Sequence, residues 1–317
     1  MRLSQVLFGG SGRTFASFSA LPSNIEAIEA CLRFTTGVES FVCLYGPSGW
    51  GKSHLLQATA NRLRELYGEE PEPVNADVAL GSSSWREPQG TLVLDEIQTV
   101  LGKPRSQIKL RMMLERRVRT GRPTLLAATM PTAGRLLRNN LPGGRAWLLE
   151  GVLAPEPAER TLLLRHLAAA EGLTLPPRVT DILARELHGD ARTFLGALKR
   201  LRMVGTGFRD DRAGLKALGT LDPFFADNAD WDLKRAILDV LESQRATFPM
   251  AAVADLAAFA MLRVAGLNEA EVARALDFEP AEAYVRASRY EAQRAVQPAL
   301  DRYVDELADL VLRDLSA

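Results

Sequence analysis

Eight consecutive residues, Gly46-Pro47-Ser48-Gly49-Trp50-Gly51-Lys52-Ser53, satisfy the pattern G-x-x-x-x-G-K-[ST] at every fixed position. The pattern suits phosphate. Its glycines let a loop turn successive backbone N–H groups toward one anion, and a helix opening behind it adds its positive end. Lys52 supplies a mobile cation and the Ser53 hydroxyl reaches a divalent metal. His54 carries the motif into the helix. The apolar run Leu92-Val93-Leu94 ends in Asp95-Glu96, 43 residues after Lys52. An acid at such a strand end holds Mg²⁺ through water, and the acid beside it polarises an attacking water. Taken alone, a strand ending in Asp-Glu is a common solvated strand end; the phosphate loop upstream gives it a chemical reading. Thr129, closing a third apolar run, either orients water near a γ-phosphate or simply ends its strand. The expected ligands are ATP or ADP with Mg²⁺. Gly46 through His54 and Asp95 are expected to bind the nucleotide, Ser53 and Asp95 to hold the metal, and Lys52, Glu96 and Thr129 to act on the phosphates.

The elements that position these groups follow from periodicity. Phe41-Val42-Cys43-Leu44-Tyr45, Thr91–Leu94 and Thr124–Ala128 are short continuous apolar runs, expected of strands buried on both faces. Helical patterns cover 24–37, 53–67 and 105–120. Alternating strand and helix predicts a parallel sheet with right-handed crossovers. From about 157 the strands stop, and helices are expected over 157–171, 177–188 and 191–204, with Gly172 and Gly189 as stops. Residues 205–231, rich in glycine and closing on Asp227-Asn228-Ala229-Asp230, read as an irregular connection. Helices are expected again over 232–244, 250–265, 269–276, 280–296 and 298–315. The chain therefore divides into an α/β nucleotide-binding domain (1–156), a small helical lid (157–220) and a helical C-terminal domain (221–317).

Composition removes whole classes. At 317 residues, 47% hydrophobic and 25% charged, the chain has the make-up of a globular protein. No apolar run approaches the ~20 residues of a membrane helix. The start, Met1–Phe8 followed by Gly9-Gly10-Ser11-Gly12, is too short an apolar stretch for a signal peptide, so a cytoplasmic protein is expected. Cys31 and Cys43 are too few for a disulfide framework, lack zinc-site spacing, and read as reduced core residues. Residues 221–317 hold 10 Lys and Arg against 18 Asp and Glu, leaving 29 against 21 in residues 1–220. Any phosphate-seeking surface is expected in the earlier part.

Several segments together resemble the DnaA branch of the AAA+ ATPases, which includes the initiator and its shorter relative Hda. Thr14-Phe15-Ala16-Ser17-Phe18 is similar to that family's opening box, and Gly46–Leu56 to its phosphate loop. Leu92–Gln98 with Gly102-Lys103 is similar to its magnesium-binding strand and following turn. Leu126–Pro131 resembles the first sensor, with Thr129 where the family usually has Asp, and Gly189–Leu201 the second sensor helix. The tail Ala292–Leu315 resembles the closing helices of its duplex-DNA domain. The resemblance implies a P-loop AAA+ parallel sheet flanked by helices, then a helical lid and a C-terminal domain of helix-turn-helix type. It places Arg192 on the sensor arginine. It implies an arginine finger acting on a neighbour's nucleotide, best matched by Arg145, with Arg138 and Arg135 as rivals. Self-association, or association with another DnaA-like AAA+ protein, is implied as well. Three departures stand beside it: only about 17 residues separate the second strand from Thr91, where initiators carry a helical insertion. The DNA-box signature is replaced by Glu279-Pro280-Ala281-Glu282-Ala283-Tyr284, and the basic loop before it by Ser243–Pro249.

Two DNA contacts are open. Lys103–Arg122 holds Lys103, Arg105, Lys109, Arg111, Arg116, Arg117, Arg119 and Arg122 against one acid, Glu115. The corresponding turn and helix of the DnaA branch face a central channel, so the resemblance implies contact with single-stranded DNA, while the charge pattern alone equally suits a solvated helix face or a subunit interface. The helix from Ala281 carries Arg286, Arg289 and Arg294, which suit a major groove, but Glu279, Glu282 and Glu291 around them repel phosphate. The alternatives to a replication ATPase are a nucleotide-responsive adaptor whose acidic helical domain recruits a protein, and a transcription-regulator-like DNA binder.

Overall fold

Phe41–Gly46, apolar through Leu44, forms the strand β1 on which the site is built. The computed structural model describes residues 12–225, 228, 229, 231–249 and 252–317. The N-terminal stretch Met1–Ser11, the acids Asp227 and Asp230 and the first two residues of the helix expected from 250 lie outside the described residues. The chain divides into two compact units, Met1–Glu159 and Arg160–Ala317.

In the first unit β1 is joined by β2 (Val74–Asn75), β3 (Leu92–Asp95), β4 (Thr124–Thr129) and β5 (Leu148–Gly151) in one sheet of order β2-β3-β4-β1-β5. Every pairing is parallel, as the alternating pattern predicts. Leu94 lies beside Leu126 and Gly46 beside Thr129, so the carboxyl ends of β3, β4 and β1 stand next to one another. The helices are α1 (Ile25–Thr35), α2 (Lys52–Tyr67), α3 (Ala76–Gly81), α4 (Gln98–Leu101), α5 (Pro104–Arg119) and α6 (Arg135–Asn140). Successive residues of a strand face opposite sides. Val42 and Leu44 accordingly pack with Cys31, Leu55 and Leu56, while Cys43 packs with Leu92, Leu94, Leu114 and Leu126 on the other face. Both cysteines are free and fully buried, and burial pushes each thiol up to about 12. β5 is an addition to the expected strands. Its residues are all only half-buried at the sheet edge and include Glu150 and Gly151, so it lacks the apolar run that marks its neighbours.

The second unit is helical. After α7 (Pro157–Ala170), which begins at the boundary, come α8 (Pro177–Glu186), α9 (Ala191–Val204), α10 (Asp211–Leu221) and α11 (Leu233–Ser243). Then follow α12 (Val253–Phe259), α13 (Glu269–Ala275), α14 (Pro280–Val296) and α15 (Asp301–Ser316). α12 runs on as a single π-helical turn, Ala260–Val264. α10 falls within 205–231, expected to be irregular, and corrects that expectation: Leu215, Leu218 and Leu221 are buried along it, and Asp210 caps it by accepting from the Ala213 N–H. α13, a turn through Asp277 at φ +55°, and α14 make the expected helix-turn-helix form. Among the described residues no helix is long and apolar enough to cross a membrane.

Candidate functional site

The end of β1 cannot carry a side chain. A Cβ at Gly46, whose φ is +148°, would lie 2.0 Å from the Val152 carbonyl oxygen. Gly49 and Gly51 also take positive φ, +81° and +104°, and α2 opens directly at Lys52. A loop of positive-φ glycines leading into a helix N-terminus is an anion cradle. Lys52, only 5% exposed, donates from Nζ to the carbonyls of Gly46 (2.9 Å) and Pro47 (2.7 Å), which draws its ammonium across the mouth of the loop. Trp50 is half-buried and packs against the core of the β1–α2 face, and Ser48 is exposed.

The end of β3, one strand beyond β4, brings the acids in. Ser53 Oγ donates to Asp95 Oδ2 at 2.5 Å, so the two residues proposed from sequence to share a metal converge on one point. A hydroxyl and a carboxylate are hard oxygen donors of the kind Mg²⁺ takes alongside water and phosphate, and the pair fits that ion. Asp95 is buried to 8% exposure, and its other oxygen accepts from the Glu96 N–H at 2.8 Å. Glu96 itself sits at φ +55°, a left-handed conformation uncommon for a residue with a side chain. Its carboxylate accepts from Gln98 Nε2 and, at 3.4 Å, from Thr129 Oγ1. The expected trio of Asp95, Glu96 and Thr129 is thus assembled at the carboxyl edge of adjacent strands, beside Lys52 and Ser53 on β1's side.

Two neighbours of this site were not among the expected site residues. Gln98 accepts from the Thr129 N–H at 2.8 Å while donating to Glu96. The box Thr14–Phe18 lies against the phosphate loop: His54 Nε2 is 3.0 Å from the Thr14 carbonyl and 3.2 Å from Ser17 Oγ, with Phe18 edge-on to its ring. Phe18 also fills the space a Cβ at Gly51 would need, at 2.5 Å. His54, expected to bind nucleotide, is therefore engaged with the box and holds it beside the loop.

The arginines divide. Arg145 is exposed on a single 3-10 turn, Gly144–Ala146, with no hydrogen bond or ion pair among the described residues. Its rival Arg138 donates to the Ala133 carbonyl, and Arg135 is exposed. Arg192 is exposed in the first turn of α9 in the second unit, where Asp190 caps its backbone N–H. Within Lys103–Arg122, Arg117 fits none of the three surface readings. It is fully buried and donates to Thr124 Oγ1 and to the carbonyls of Pro88, Gly90 and Pro123, with Glu87 at 3.2 Å. Burial lowers its pKa against the pull of Glu87. Arg116 also pairs with Glu87, and Arg111 with Glu115 at 3.0 Å. Lys103, Arg105 and Arg119 remain exposed. On α14 the three arginines turn to acids of the same unit: Arg286 to Glu282 and Asp255, Arg289 to Asp255, and Arg294 to Asp301.

No protein-family model matches the chain. The chromosomal replication initiator protein DnaA of Desulfotalea psychrophila is 28% identical over 219 residues, covering 61% of this chain and 45% of that protein. Among solved structures, AMPPCP-bound DnaA from Aquifex aeolicus superposes with a TM-score of 0.55 at 18% identity, over 95% of this chain and 98% of that one. A replication initiator DnaA bound to AMPPCP and single-stranded DNA gives 0.52 at 17% identity, over 96% and 98%. The chain is DnaA-like in sequence and in fold. It spans less than half the length of the curated DnaA relatives it matches. In this DnaA-like frame the phosphate loop, the Asp95-Glu96 strand end and Thr129 occupy one edge of one sheet, the crevice in which open α/β sheets bind ligands.

Proposed function

We propose that the chain is a DnaA-related AAA+ ATPase that binds ATP with Mg²⁺, hydrolyses it, and acts in replication initiation or its regulation through ATP-dependent assembly. The observation that carries this reading is the gathering of Lys52, Ser53, Asp95 and Glu96 at the carboxyl ends of β1 and β3, which flank β4, with Ser53 Oγ on Asp95 Oδ2 at 2.5 Å. Catalysis of phosphoryl transfer is mostly positioning and charge stabilisation. Lys52 exchanges the Gly46 and Pro47 carbonyls for phosphate oxygens. Ser53 and Asp95 hold Mg²⁺, which when bound offsets charge on the β- and γ-phosphates. Glu96, steadied by Gln98 and Thr129, accepts hydrogen bonds from the attacking water. Arg192 serves as the sensor arginine and Arg145 as a finger on a neighbour's nucleotide, in a chain organised as an AAA+ domain (1–156), a lid (157–220) and a helical domain (221–317). Such a role sets the protein in the cytoplasm. Lys103, Arg105 and Arg119, exposed on and around α5, are the cations offered to single-stranded DNA. Phosphate release and ATP affinity of Glu96→Gln test this: affinity retained with release abolished supports it, and release at the wild-type rate overturns it.

A second reading, a nucleotide-responsive adaptor that recruits a protein through the helical domain, has its own support. Arg286, Arg289 and Arg294 of α14 are tied to acids of the same unit, while Tyr284 (49% exposed) and Val285 (53%) stand open on that helix. Neutralised arginines beside apolar side chains suit a protein better than a duplex backbone. Sequence-selective binding of duplex DNA by the full chain, lost on reversing Arg289, would overturn it.

A further inference from the structure

One amide in the site belongs neither to the phosphate-loop pattern nor to the strand-end acids. We propose that Gln98 is a positioning residue that aims the Glu96 carboxylate and fastens it to the end of β4, so that the first residue of the phosphate loop and the general base are set by one short chain of hydrogen bonds. The proposal rests on the ATPase reading above.

The backbone of Glu96 is fixed. Its N–H is taken by Asp95 Oδ1 at 2.8 Å, and its carbonyl accepts from the Thr99 N–H (3.0 Å) and hydroxyl (2.7 Å). That fixes φ at +55° and leaves the side-chain torsions to be decided. Among the described residues the carboxylate has two partners, Gln98 Nε2 and Thr129 Oγ1, the latter at 3.4 Å. The Gln98 amide is therefore its main restraint. Its orientation follows from chemistry: an ionised carboxylate only accepts, so it takes the NH₂ side, and the Thr129 N–H only donates, so it takes the oxygen. No flipped amide satisfies both.

The next peptide N–H extends the link. Met130, one residue past β4, donates to the Gly46 carbonyl at 3.1 Å, and Lys52 Nζ donates to that same carbonyl at 2.9 Å. Consecutive N–H groups at the end of β4 thus hold Gly46 on one side and, through Gln98, Glu96 on the other. A shift of Gly46 when Lys52 changes partners reaches the carboxylate through the Met130 and Thr129 peptides and one side chain. Glutamine suits this position because a shorter amide fails to span the two groups and a carboxylate would repel Glu96.

The test uses the full chain with ATP and Mg²⁺, following phosphate release and ATP affinity for wild type, Gln98→Ala and Gln98→Glu. Gln98→Ala is expected to lower kcat by about 10-fold or more while ATP affinity stays within about twofold, the pattern of a lost restraint on a reacting group. Gln98→Glu preserves volume and the acceptor for Thr129 but has no N–H to give Glu96, so it is expected to lose kcat at least as far as Gln98→Ala with affinity again within about twofold. A wild-type kcat in either variant, or a parallel loss of kcat and affinity, overturns the proposal. If wild type releases phosphate and these variants behave as wild type, this proposal alone falls; if wild type releases none, the ATPase reading falls and takes it along.

Discussion

Gly46 is placed where β1 gives way to the phosphate loop, with the Val152 carbonyl where a side chain would begin. Gly46→Ala must displace that backbone, so it is expected to lower stability by about 1–3 kcal/mol and to weaken ATP binding with it. A thermal melt within about 0.5 kcal/mol of wild type, the range of an ordinary surface change, would contradict the close approach. This residue was legible in the sequence as the first fixed glycine of a motif, and so were Lys52, Ser53, Asp95 and Glu96, whose types and spacing already specify phosphate chemistry. Gln98 was not. An amide two residues beyond a glutamate has no reason to meet its carboxylate until the glutamate backbone takes a left-handed turn, and nothing in the residue types announces that turn. Arg117 misled for a related reason: a guanidinium in a basic run reads as surface, yet its five donors suit the carbonyls of Pro88, Gly90 and Pro123, which only the fold gathers around it.

α5 carries both of these uses of arginine on one helix. Arg117→Leu removes the donors of three carbonyls and leaves Glu87 without its buried partner, a change expected to destabilise the protein by about 3 kcal/mol or more. Arg119→Glu, on an exposed position of the same helix, is expected to leave the melting temperature nearly unchanged. Combined with Lys103→Glu and Arg105→Glu it should weaken single-stranded DNA binding and flatten its salt dependence, each lost phosphate contact lowering the log–log slope by about 0.7. Equal slopes for wild type and the triple variant would place the DNA contact elsewhere. At this scale the buried strands and most helices were legible because their periodicity is strong, and the exceptions share a cause. β5 is a half-buried edge strand with no apolar run. α10 was hidden by Gly214 and Gly219, which read as breakers. In the fold they are places of close approach: a Cβ at Gly219 would lie 2.2 Å from the Ala265 carbonyl, and one at Gly214 3.0 Å from Leu312 and Val179. Packing, which a single sequence does not display, fills those positions with glycine.

For the molecule as a whole, the proposed assembly turns on Arg145, which is exposed. If Arg145 acts on a neighbour's nucleotide, wild type should gain mass with ATP by light scattering, and Arg145→Ala should lose that gain while keeping monomer ATP affinity within about twofold. A loss of monomer affinity instead would make it a residue of its own site. The C-terminal arginines were left open in the sequence between a DNA-reading set and cations offset by nearby acids. The ion pairs that engage them run to Asp255 and Asp301 as well as to Glu282, two of them on other helices of that unit, which no local spacing displays. The central claim remains the nucleotide, and calorimetric titration of ATP–Mg²⁺ into the wild-type chain beside Lys52→Ala addresses it most directly. Lys52 is the cation held against the loop by two carbonyls, and hydrogen bonds to charged groups are worth about 1.5–3 kcal/mol, so saturable wild-type binding weakened at least ~10-fold in the variant is expected. Equal affinity in the two proteins, or no binding to wild type, would contradict the account.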